Sequence, residues 1–87
     1  MLSLLILVSV LPAHAEKRVA LVIGNSAYAS SPLKNPVNDA TDMAAALEKL
    51  GFSVILDTDA TRKEMFRAIE DFSAQLTGAD AALFYFA

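Results

Sequence analysis

Arg18-Val-Ala-Leu-Val-Ile-Gly-Asn25 is the stretch whose reading decides the fold. Its apolar run, Val19 to Ile23, is too short for a helix and long enough for a strand buried on both faces. Gly24-Asn25 is a turn-forming pair that stops the run. A polar loop follows to Val37, and Asn38-Asp39-Ala40 opens a helical pattern. A buried strand that feeds a loop and then a helix is the first half of a βαβ unit. In open α/β sheets, chemistry collects in the crevice outside the carboxyl ends of the strands. Functional residues are therefore expected between Asn25 and Asp39.

Downstream, the pattern repeats. Asn35-Pro36 reads as an N-cap followed by proline at the first helical position. Ala40, Met43, Ala44, Leu47 and Leu50 recur at three- and four-residue steps and predict one apolar stripe. Gly51 ends that helix in the left-handed conformation wanted at C′. Phe52 to Leu56 reads as a second strand, released by Asp57-Thr58-Asp59. Thr61-Arg62-Lys63-Glu64 is a capping box, and Met65, Ile69, Phe72 and Leu76 predict a second stripe closed by Thr77-Gly78. Ala79 to Ala87 is again apolar but for Asp80 and reads as a buried parallel strand.

Strand, helix, strand, helix, strand implies α/β architecture with a parallel sheet and helices on its faces. The simplest winding puts the first strand in the middle, giving strand order 2-1-3. The two crossovers then leave in opposite directions, with a switch point between Gly24-Asn25 and the end of the third strand. A closing strand with an unpaired hydrophobic edge predicts that residues 16–87 are the front portion of a larger domain.

Upstream of the first strand, Met1 to Ala15 differs in kind. Leu2 to Leu11 is an apolar run of ten residues, about half of what a membrane-spanning helix needs. Pro12 breaks the run, and Ala13-His14-Ala15 supplies small residues at the third and first positions before a cut. This predicts a signal peptide over 1–15, cleavage before Glu16, and an exported protein, periplasmic or secreted. His14, the single histidine, belongs to that leader and is not a candidate ligand or base.

Composition excludes several functions. The net charge is −3 and the basic residues form no run longer than two, so nucleic acid is not an expected partner. With no cysteine among the 87 residues, neither a disulfide framework nor a thiolate zinc site is available, and no thiol nucleophile is present. Gly24 is followed by no second glycine before Gly51, so the phosphate-binding glycine loops are absent and no cofactor is expected. A phosphorylation receiver holds its cation with clustered carboxylates at strand ends, whereas the first strand here ends in Gly24-Asn25 and the third in Phe86-Ala87. Ser26, Ser30 and Ser31 have no histidine to activate them and read as turn residues.

Taken together, Arg18 to Tyr28, Leu33-Lys-Asn-Pro-Val-Asn-Asp-Ala-Thr-Asp-Met43, Leu47 to Val54 and Asp80 to Ala87 resemble bacterial caspase-like cysteine peptidases, relatives of the metacaspases. The resemblance spans nearly all of the chain after the leader. It implies a three-layer α/β/α caspase-like sandwich and a thiol endopeptidase acting on protein or peptide substrates. In that family the strand matching Ala79 to Ala87 runs into a Gly-His-Gly whose histidine is the base, and the cysteine follows a later strand. Both would lie after Ala87, in the remainder of the peptidase domain, so this chain alone is expected to be inactive.

The resemblance also implies a site residue. Asp39 matches the aspartate that lines the substrate pocket and favours Arg or Lys before the cut. A carboxylate there can pair with a guanidinium through charge-assisted hydrogen bonds. Spacing alone favours a plain first-turn acid, stabilised by the helix dipole by about 0.3–1 kcal/mol; the resemblance is what sets the pocket role level with it. Asp42 reads as such an acid, Tyr28 as a packed loop aromatic, and Phe84, Tyr85 and Phe86 as core. Two other functions fit the pattern: a caspase-fold pseudoenzyme that binds or scaffolds, and a flavodoxin- or receiver-like binding domain.

Overall fold

A computed structural model describes residues 17–26 and 35–87. The leader, Tyr28, Ser30 and Ser31 lie outside the described residues. Within them the order is β1 (Arg18–Gly24), α1 (Pro36–Lys49), β2 (Ser53–Thr58), α2 (Arg62–Gln75) and β3 (Ala81–Phe86).

The sheet order is β2-β1-β3, and both pairings are parallel, Val19 to Gly24 against Ser53 to Thr58 and Arg18 to Ile23 against Ala81 to Phe86. β1 is central, and every residue from Val19 to Gly24 is buried. Because successive strand side chains alternate between faces, the run splits into two cores. Ala20 and Val22 join Ala40 and Leu47 of α1 and Tyr85 of β3 on one face. Leu21 and Ile23 join Ala68 of α2 on the other, with Met65, Phe72, Phe84 and Phe86 packed around them. Helix, sheet and helix are thus the three layers. Leu21, Val22 and Ile23 are fully buried, worth about 1.5–3 kcal/mol each.

The helix boundaries follow local chemistry. Asn35 caps α1, its side chain accepting from the Asn38 N–H, and Pro36 is the first helical residue. At the other end the Gly51 N–H donates to Glu48 O and the Phe52 N–H to Leu47 O. With Gly51 at φ +86° this is a Schellman motif. α2 opens with the expected capping box, Thr61 and Glu64 satisfying each other's amides.

Some expectations shift. β2 begins at Ser53 because the Phe52 N–H is committed to the α1 cap, and it runs on through Asp57 and Thr58, which pair with Ile23 and Gly24. Leu50 is 61% exposed: it sits at the C-cap, where the helix is already turning away from the sheet. On α2, Ala68 is buried in place of Ile69, and Leu76 is exposed as well. A small residue lets that helix sit on Leu21 and Ile23, and this rotates Ile69 outward. Of β3 only Tyr85 is fully buried, since β3 pairs with β1 on one side and, among the described residues, with nothing on the other.

Candidate functional site

The carboxyl ends of β1 and β3 lie side by side. The ladder runs past Phe86: the Ala87 N–H donates to Ile23 O at 2.8 Å, and the Asn25 N–H donates to Ala87 O at 3.1 Å. On the other flank the Asp59 N–H donates to Gly24 O at 2.9 Å. The switch point expected from the winding is therefore present, with three chain segments converging on Gly24-Asn25.

α1 sits directly over this end. A Cβ on Gly24 would overlap the Pro36 carbonyl oxygen and fall 2.5 Å from Ala40 Cβ. The glycine is needed for closeness, and the first turn of α1 rests on the end of β1 because of it. That turn carries Asp39, whose N–H donates to Asn35 O and whose side chain is exposed. The carboxylate is open to a ligand and placed where the helix dipole favours it. Asp42 is exposed one turn further on.

Tyr85 underlies the same corner. It is 5% exposed and packs in the cluster that contains Ala40, the neighbour of Asp39. Burial, and next the Asp39 carboxylate, push the Tyr85 hydroxyl above its usual pKa. Phe84 and Phe86 are core residues of the opposite face, as expected.

Asn25 carries a role that the sequence reading missed. It is 4% exposed, and its Oδ1 accepts from the Ala60 N–H at 2.9 Å while its Nδ2 donates to Met65 Sδ at 3.2 Å. Ser26 is a turn residue, its N–H and Oγ both donating to Asp59 Oδ1. Asp59 holds φ +50°, a conformation in which aspartate is enriched. The signal for Asn25 was its side chain: a carboxamide at a buried strand end has a donor and an acceptor that must both be used.

On the α2 side, burial and then Glu64 raise the pKa of Asp57, whereas hydrogen bonds from Thr61 lower that of Glu64. Among the described residues no group of His, Cys, Asp and Glu is arranged to hold a metal ion.

The caspase domain family matches residues 17–87. This chain belongs to the caspase family. Relatives include the mouse mucosa-associated lymphoid tissue lymphoma translocation protein 1 homolog and the human mucosa-associated lymphoid tissue lymphoma translocation protein 1. Each is 36% identical over 74 residues, which is 84% of this chain and 9% of the relative. The chain thus spans a small part of the length of those relatives. No solved structure matches it significantly. The caspase-family assignment accords with the β2-β1-β3 sheet and its two helices.

Proposed function

We propose that this chain is the N-terminal part of a caspase-like cysteine endopeptidase that cuts after Arg or Lys. The observation that supports it is the bonded junction of β1 and β3 at Asn25 and Ala87, beside an exposed first-turn carboxylate on α1. In this reading a thiolate attacks the peptide carbonyl, an imidazole hands the proton to the leaving amine, and water releases the acyl-enzyme. The chain has no cysteine and its one histidine is His14. Both reacting groups are therefore assigned to residues beyond Ala87. Asp39 receives the basic side chain of the substrate.

The test is an arginine- or lysine-containing reporter offered to protein that extends past Ala87, with the 87-residue chain as an inactive control. Asp39→Ala should lower kcat/KM on basic reporters about tenfold or more, the worth of a charge-assisted hydrogen bond. Unchanged turnover would leave Asp39 a helix-start acid. Because no thiol is present in these residues, a scaffolding pseudoenzyme is the second reading, and a missing cysteine downstream would select it.

Export belongs to the same proposal. Residues 1–15 act as a leader, and the described residues contain no helix long and apolar enough to cross a membrane. N-terminal sequencing of protein recovered outside the cytoplasm should begin at Glu16; an intact Met1 would refute cleavage.

A further inference from the structure

The geometry points to Asn25 as the positioning residue of the cleft: its carboxamide fixes the backbone that in turn fixes the direction in which the chain leaves β3. This rests on the proposed peptidase reading for its functional meaning, and on hydrogen bonds alone for its physical content.

Three segments meet at Asn25. Its side chain is tied to the β2–α2 connection through the Ala60 N–H and to the first turn of α2 through Met65 Sδ. Its own N–H holds the Ala87 carbonyl. The Ala87 N–H closes back on Ile23 O, so the N–H and the carbonyl of Ala87 are both bonded, one to β1 and one to Asn25 just past its end. An asparagine whose side chain is anchored on the β2 flank thereby presents a fixed donor on the β3 flank. Any residue that follows Ala87 departs from a peptide held by this donor. The Ser26 and Asp59 bonds pin the next residue of the same turn, which keeps Asn25 from rotating out. Removing the carboxamide acceptor leaves the buried Ala60 N–H without its partner, a penalty that the turn escapes only by opening.

Amide hydrogen exchange on the chain itself reads this directly. In Asn25→Leu, which keeps the heavy-atom count and branching and removes both hydrogen bonds, the amides of residue 25, Ala60 and Ala87 should exchange about tenfold or more faster. Those of Leu21 and Val22 in mid-strand should keep their wild-type protection. Asn25→Ala, which admits water to the Ala60 amide, should show the same pattern more weakly, and it decides the matter if the leucine variant does not fold. Wild-type protection at Ala87 in a folded variant, or a uniform loss across β1, would overturn the inference. In protein that extends past Ala87 and cleaves the reporter, Asn25→Ala should lower kcat about tenfold with KM changed less than about twofold, because orientation of the reacting group and not substrate binding is disturbed. A raised KM at constant kcat would overturn it too. If the parent protein cleaves nothing, the peptidase reading fails, and the exchange result still stands or falls by itself.

Discussion

The two faces of the sheet are built differently. Under α1 the contact is close: Pro36, Ala40, Ala44 and Leu47 are buried, and the helix approaches so near that Gly24 has no room for a side chain. α2 buries only Ala68 fully, and it leaves Phe66, 58% exposed, under the Arg62 guanidinium at 5.8 Å. Both helices have fourteen residues and good caps, so helix propensity does not separate them. Small residues do. Ala40 and Ala44 lie four apart on one face and let the backbone of α1 settle on β1, whereas α2 meets the sheet through a single buried small residue, Ala68, with Met65 and Phe72 half-buried around it. The helix that carries Asp39 is the one packed closely on the sheet.

This contrast can be broken by cutting a buried leucine of α1 and the leucine at the C-cap of α2. Leu47→Ala should cost about 2–5 kcal/mol in urea unfolding, as for a buried leucine. Leu76→Ala, at an exposed position, should stay within about 0.5 kcal/mol. Equal losses would mean that the two faces are packed alike.

A second change sharpens the close approach. Gly24→Ala should cost about 1–3 kcal/mol through overlap with the Pro36 carbonyl. The Asp39 and Asn38 amides should lose exchange protection before those of α2. If the variant is as stable as wild type, α1 is free to slide and the site is not fixed by it.

The smallest effects concern pH. On the α1 face the Tyr85 hydroxyl has a raised pKa in the folded state, so folding disfavours the phenolate. Its contribution is complete below the unfolded value and is lost as pH rises above about 10. On the α2 face Glu64 has a lowered pKa, so its contribution is present above the ordinary glutamate value and is lost as pH falls below it. Tyr85→Phe should therefore flatten the alkaline limb of a Tm–pH curve, and Glu64→Gln the acid limb. An alkaline limb unchanged by Tyr85→Phe would refute the first assignment.

Much of this was legible from residue order. Val19 to Ile23 could only be a central strand, and Asn35-Pro36, Gly51 and the Thr61–Glu64 box marked helix ends through backbone chemistry that depends on neighbours a few residues away. The 2-1-3 order followed from the simplest winding, which puts the first strand in the middle. What escaped was tertiary. Periodicity admits Ile69 and Ala68 to the stripe of α2 about equally, and only the distance between helix and sheet chooses the smaller. Leu50 fits the period of α1 but falls where the Schellman turn has left the core. Asn25 was read as a turn residue, because its partners Ala60 and Met65 lie 35 and 40 residues away. Asp39 was visible as a residue type at a helix start; its exposure above Tyr85 was not.

The opposite end of the sheet has its own closure. Lys17 donates its backbone N–H to Asp80 Oδ2 and its Nζ to Thr77 O, and it accepts the Asp80 N–H at its carbonyl. Lys17 lies eight residues before Asn25 along an extended segment, so at about 3.3 Å per residue this clasp stands about 26 Å from Asn25. A purification tag or fluorophore fused ahead of Lys17 is thus moored away from the cleft, and a donor dye placed there can report on events at Asp39 without touching them.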